Sequence, residues 1–189
     1  MIKKFFRIFF IFLTVMAPVL SPPALLWAKM DAGNFDKVDE GLYRGGTPSD
    51  SDLLELKRMG VKTIVNFRTY TVKTEKEKVE PLGLRYVSLP VSGRENFDEY
   101  DAAAKQFLKA ATDPSERPVY AHCNYGIYRT GIMIAVYRME KYDWTLTAAL
   151  DEMRKYGFRE KANPSLVKFL SRYSRRKMAE KRGQVMKKF

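Results

Sequence analysis

Three short runs, VKTIVNF (61–67), LRYVSLP (84–90) and PVYAHC (118–123), are rich in β-branched and other apolar residues at successive positions. Runs of that length, apolar nearly throughout, read as strands covered on both faces. Ahead of them KVDEGLYRGG (37–46) reads as a strand leading into a Gly-Gly turn. Between the strands the period lengthens to that of helices. Thr47 and Pro48 fit an N-cap and first-turn pair for a helix through LLELKRM, ended by Gly60. TEKEKVEPLG (74–83) fits a short exposed helix stopped at Pro81, and DAAAKQFLKAA (101–111) is helical. From Thr130 the pattern is helical to the end. TGIMIAVYRMEKY is apolar almost all round and so predicted buried, and Asp143 is placed to cap TLTAALDEMRKY, which Gly157 stops. Asn163 and Pro164 open a last helix with Leu166, Phe169, Leu170 and Tyr173 on its apolar face. Strands alternating with helices predict an α/β fold, a mostly parallel central sheet with helices on both faces. No internal repeat and no second domain is visible.

The N-terminus does not belong to that pattern. Lys3, Lys4 and Arg7 precede an apolar run from Ile8 to Leu20, followed by small and proline-rich residues to Ala28. That order is the build of an export signal, assigned to residues 1–28. An uncleaved anchor in the inner membrane is the alternative, because Leu26 sits where a cleavage site prefers a small residue. Against the anchor, Pro18, Pro22 and Pro23 interrupt the run, and it is shorter than the roughly 20 residues a bilayer needs. The mature domain is then 29–175, followed by a basic tail, 176–189, in an extracytoplasmic compartment such as the periplasm.

Composition sharpens this. The chain has 189 residues, is 46% hydrophobic and carries a formal charge of +12. That suits one globular domain with a packed core. From Lys168 to Lys188 nine Lys/Arg face one acid, Glu180. A solvated helix end is the plain reading of such a run, and contact with an anionic membrane surface is the functional one. No nucleic acid partner is expected, and the protein is expected to be a monomer.

Residues 122–131, HCNYGIYRTG, hold the only histidine and the only cysteine of the chain. One cysteine cannot pair within its own chain, so in an exported protein it is a candidate for chemistry. The stretch falls at the carboxyl end of a predicted central strand, on the loop entering a helix, where ligands bind in open α/β sheets. Unpaired amides at a helix N-terminus form an anion cradle. Gly126 lets the loop turn sharply, and Arg129 supplies a planar fork matched to two phosphate oxygens. In such a field a thiol of ordinary pKa ~8.5 falls toward the range ~3.5–7.5 and becomes the nucleophilic thiolate. His122 points to the opposite face of the strand from Cys123. It is therefore read as a supporting residue that steadies the loop. Thr130 can offer its hydroxyl to the sulfur. Arg44 and Asn66 sit at strand ends on the same side, with structural pairing as the expected role and contact with the site as the alternative.

With His122, Cys123, Gly126, Arg129, Thr130 and Gly131 in these places, the stretch resembles the H-C-x5-R-[ST]-G signature loop of the cysteine-dependent protein tyrosine phosphatases. DPSERPVYAHC and the small size resemble the dual-specificity branch, and NFDKVDEGLYRGGTP (34–48) is similar to the start of its exported bacterial members and of fungal enzymes acting on inositol pyrophosphates. The resemblance spans roughly Asn34 to Tyr173. It implies a two-step mechanism with no cofactor and no metal, in which Cys123 takes up the phosphoryl group. The loop from Asn124 through Tyr125, Gly126, Ile127 and Tyr128 to Arg129 would bind it. Family members usually carry an Asp as general acid after the strand that precedes the signature. Here that loop reads LPVSGRENFDEYD. Asp98 is the first choice and Asp101 the alternative, with Glu95 and Glu99 also within reach, and both Asp residues suit a helix start equally well. The loop between Cys123 and Arg129 has no lysine, which favours a monophosphate on tyrosine, serine or threonine. A phosphorylated protein or a small phosphomonoester is the expected substrate. Inositol phosphates and lipids, and a non-catalytic phosphate-binding module, are the other readings.

Overall fold

Five strands, β1 (Asp36–Asp39), β2 (Leu42–Gly45), β3 (Thr63–Asn66), β4 (Arg85–Ser88) and β5 (Val119–His122), form one sheet in the order β1-β2-β5-β3-β4, parallel throughout except for β1 at one edge. The computed structural model describes residues 30–92 and 96–187. The export signal assigned to 1–28 lies outside the described residues, as do Gly93 and Glu95 of the acid-bearing loop.

The segment read as one strand over 37–46 is a hairpin, β1 (Asp36–Asp39) and β2 (Leu42–Gly45), paired antiparallel. The turn at Glu40 and Gly41 is stabilised locally, with the Asp39 carboxylate accepting from the Gly41 N–H at 2.9 Å. Strands β3 (Thr63–Asn66) and β5 (Val119–His122) are buried at every position, while β4 (Arg85–Ser88) is the other edge and partly exposed.

Helix α1 (Asp50–Arg58) starts from Ser49, whose hydroxyl accepts from the Asp52 N–H, while the Asp52 carboxylate accepts from the Ser49 N–H in a capping box. Thr47, expected as the cap, is employed elsewhere. Helix α2 (Val72–Val79) is polar on its outer face but buries Glu75 and Val79. Helix α3 (Phe97–Thr112) begins four residues earlier than its apolar pattern, capped by Asn96. Helix α4 (Tyr128–Tyr142) is buried nearly all round, as its composition predicts. Helix α5 (Leu146–Lys155) is capped by Thr145, not Asp143, which instead ends α4 at φ 56°. Helix α6 (Pro164–Met186) carries the basic tail as continuous helix, and exposure runs unbroken from Met178 to Lys187. No helix among the described residues is long and apolar enough to cross a membrane.

Two apolar layers cover the sheet. Helices α3, α4, α5 and α6 pack on one face around Phe67, Phe107, Ile132, Val136 and Phe169, and Leu53, Leu56, Ile64 and Val79 fill the other beneath α1 and α2. Ile132, Ile134 and Val136 of α4 are fully buried. Each such side chain contributes about 1.5–3 kcal/mol, so the N-terminal half of α4 is anchored in the buried core.

Candidate active site

Parallel register sets Gly45 of β2 and Asn66 of β3 on either side of His122 of β5. The carboxyl ends of the three central strands therefore open onto one loop, Cys123–Ile127, which leads into α4. Ile127 at the helix start gives no side-chain cap, and the first turn of α4 has no acidic residue. The unpaired amides and the positive end of the helix dipole are thus left for an anion.

The loop carbonyls are held from outside. The Cys123 carbonyl accepts from the Thr47 hydroxyl at 3.3 Å and lies 3.3 Å from His122 Nδ1. The Asn124 carbonyl accepts from the Thr47 N–H at 3.1 Å, the Tyr125 carbonyl from Asn34 Nδ2 at 2.8 Å, and the Gly126 carbonyl from Arg44 Nη2 at 2.5 Å. In a trans peptide the carbonyl and the following N–H point in opposite directions. Four successive amides, Asn124 to Ile127, are accordingly turned away from these donors. Gly126 sits at φ 70°, and a Cβ there would lie 2.6 Å from the Gly45 carbonyl carbon. Only glycine fits that close approach.

Cys123 is 3% exposed. Arg129 is oriented by its Nε, which donates to the Val91 carbonyl at 2.6 Å, and by Nη2, which lies at the longer distance of 3.5 Å from the Ser92 carbonyl; the weakly held end of the guanidinium is what it offers to an anion. Thr130 is fully buried, and its hydroxyl has no hydrogen-bond partner among the described residues. Tyr125 is 65% exposed at the rim. Tyr128 instead turns inward, edge-on to Phe158 with centroids 6.0 Å apart.

Behind the loop lies a buried polar cluster that the sequence did not reveal. His122 Nε2 is 3.1 Å from Glu75 Oε1. Glu75 also receives Arg68 Nη2 at 3.0 Å, the Tyr86 hydroxyl at 2.9 Å and Asn66 Nδ2. Burial pushes the Glu75 carboxyl up, but His122, Arg68 and Tyr86 outweigh it and hold it below the usual carboxylate value. Arg68 Nη1 donates to Thr47 Oγ1 at 3.0 Å, joining this cluster to the loop. Asn66 is thus a structural residue, whereas Arg44 touches the loop itself. Tyr100, also unforeseen, lies fully buried with its hydroxyl unpartnered among the described residues, and burial pushes its phenol up to about 12.

The candidate acids separate. Asp101 is engaged by Arg172 and, at 2.9 Å, by Arg176 of α6. Glu99 accepts from the Ser92 N–H and, at 2.8 Å, from the Ser92 hydroxyl. Asp98 is exposed in the first turn of α3. Among the described residues no group of His, Cys, Asp and Glu is arranged to hold a metal.

Residues 17–168 match the family described as "DSP-PTPase phosphatase fused to NAD+ Kinase". The dual specificity protein phosphatase TpbA of Pseudomonas aeruginosa (strain UCBPP-PA14) is 32% identical over 75% of this chain and 64% of its own length. Inositol diphosphatase DSP1 of Oryza sativa subsp. japonica is 28% identical over 72% of this chain and 62% of its own. The chain therefore spans less than two thirds of these relatives. A crystal structure of P. aeruginosa TpbA in complex with pTyr superposes with a TM-score of 0.62 at 27% identity, covering 79% of this chain and 91% of that one.

Proposed function

Because the chain belongs to this dual-specificity family of cysteine-dependent phosphatases, we propose that it hydrolyses phosphate monoesters, phosphotyrosine in proteins foremost and phosphoserine or phosphothreonine with it, through a phosphocysteine. The observation that carries this reading is Cys123 at the head of a loop that runs into the uncapped start of α4, with four loop amides turned away from the side chains and backbone that hold the loop carbonyls.

In the first step Cys123 Sγ attacks phosphorus, the S–P bond forms, and the bond to the leaving oxygen breaks. The amides from Asn124 to Arg129 and the terminal nitrogens of Arg129 take the equatorial oxygens. Asp98 is assigned as the acid that protonates the leaving oxygen, since Asp101 and Glu99 already have partners. In the second step water attacks phosphorus, Asp98 takes its proton, and the S–P bond breaks to release phosphate. The buried Thr130 hydroxyl is assigned to the departing thiolate.

The TpbA complex holds pTyr, and exposed Tyr125 offers an aromatic face at the rim for the same group. The rice relative's name favours a second reading, an inositol phosphate substrate. Export, and contact of the exposed end of α6 with an anionic membrane surface, belong to this proposal as well. The test is phosphate release by the full chain in EDTA from para-nitrophenyl phosphate, a phosphotyrosine peptide and inositol phosphates, beside Cys123→Ser. Turnover of the peptide that vanishes in the variant supports the reading. Turnover of inositol phosphates alone moves the second reading to the front.

A further inference from the structure

Arg44 is 1% exposed, and its guanidinium carbon lies 3.5 Å from the centroid of the Tyr156 ring. Nη2 is committed to the Gly126 carbonyl. Nε and Nη1 are buried with no partner among the described residues. Arg44 makes no ion pair there either: Glu152 is taken by Arg138 at 2.8 Å, and Asp36 accepts from Tyr156 at 2.6 Å. Glu152 and Asp36 attract Arg44 only from a distance, and a cation sealed from water without a carboxylate in contact is costly unless an anion arrives. The anion for which this loop is shaped would sit on the other side of the Gly126–Ile127 peptide.

We propose that Arg44 is a positioning residue for the bound phosphate: it fixes the Gly126 carbonyl so that the Ile127 amide faces the anion, and supplies positive charge from behind the loop. This rests on the phosphatase reading of the same site. Asn34 performs the first of these tasks one residue earlier, since its bond to the Tyr125 carbonyl aims the Gly126 amide. Each outer donor therefore governs one particular amide, which a mere packing role does not imply. Asn34 holds its own φ at 56°, an αL conformation that asparagine tolerates.

The test titrates inorganic phosphate into the isotopically labelled full chain carrying Cys123→Ser, reading the amide resonances of residues 124–127. All four are expected to move. Adding Arg44→Met should weaken phosphate binding about tenfold, as loss of a charge-assisted donor does, and abolish the shift of Ile127 while sparing Asn124. Adding Asn34→Ala should abolish the shift of Gly126 and spare Ile127. Arg44→Lys, which keeps the charge, should recover most of the affinity. A folded Arg44→Met chain with unchanged affinity and an unchanged Ile127 shift overturns the proposal. Should Arg44→Met fail to fold, Arg44→Lys decides: it keeps the charge but loses the planar fork that holds the Gly126 carbonyl, so an Ile127 shift identical to that of the Cys123→Ser chain overturns the proposal equally. If the Cys123→Ser chain shows no phosphate shifts at all, the phosphatase reading falls and this assignment with it.

Discussion

His122 and Glu75 meet beneath the signature loop, Nε2 to Oε1 at 3.1 Å, with the histidine sealed from solvent and the glutamate nearly so. The two atoms lie within contact distance but out of line for a well-formed hydrogen bond. Through this contact a residue of α2, with no place in the signature, supports the strand end that presents Cys123.

The pair sets an acid dependence of stability. The Glu75 carboxyl is held below its ordinary 4.5, so the folded state favours its charged form. That contribution is present in full above about 4.5 and is lost as pH falls through the lower folded value. Thermal unfolding should show Glu75→Gln to be less stable at pH 7, by on the order of 3 kcal/mol, since the change leaves Arg68 buried without its partner. Its stability should also fall less steeply in acid than that of the native chain. Parallel pH profiles for the two would remove the role given to Glu75.

Gly126→Ala tests the loop shape. The added methyl has nowhere to go, with the Gly45 carbonyl carbon at 2.6 Å and the Gly46 nitrogen at 2.9 Å. The strain of a non-glycine residue here costs on the order of 1–3 kcal/mol. Phosphate affinity should drop with it, and calorimetric titration beside a melting curve measures both. Gly60→Ala, at a φ of 80° but with open space around it, is the control: a loss of stability with phosphate affinity intact.

The acid assignment separates by leaving group. Asp98→Asn should slow hydrolysis of alkyl phosphates about 100-fold or more, and that of para-nitrophenyl phosphate much less, because nitrophenolate leaves without a proton. Asp101→Asn should leave both rates near native and lower stability by up to about 1 kcal/mol through its pairs with Arg172 and Arg176. Equal effects of Asp98→Asn on the two substrates would take it out of the acid's role.

The loop from Cys123 to Arg129 is legible in the sequence because its pattern is local: a strand end, a glycine and an arginine at fixed spacing. The parallel sheet and the buried α4 are legible for the same reason, since both are written in runs of apolar residues. Contacts between distant segments are not. Glu75 is one of several charges in TEKEKVE, and nothing in the sequence separates it from neighbours that face water. Thr47 carries a cap's composition, yet its N–H and hydroxyl go to the Asn124 and Cys123 carbonyls while Ser49 takes the cap. The β1–β2 turn is hidden because DEG is a weak turn signal inside a strand-like run. Thr145 displaces Asp143 as the α5 cap because Asp143 is already the αL residue that ends α4.

The proposed chemistry stands or falls on whether phosphate passes through Cys123. Rapid acid quench of the full chain with para-nitrophenyl phosphate, followed by mass spectrometry of the peptide holding the chain's one cysteine, answers that question. A transient phosphoryl adduct on Cys123 is expected, forming as fast as nitrophenol is released and absent in Cys123→Ser. Turnover with no adduct at any quench time, or turnover that persists in Cys123→Ser, would rule out the phosphocysteine route.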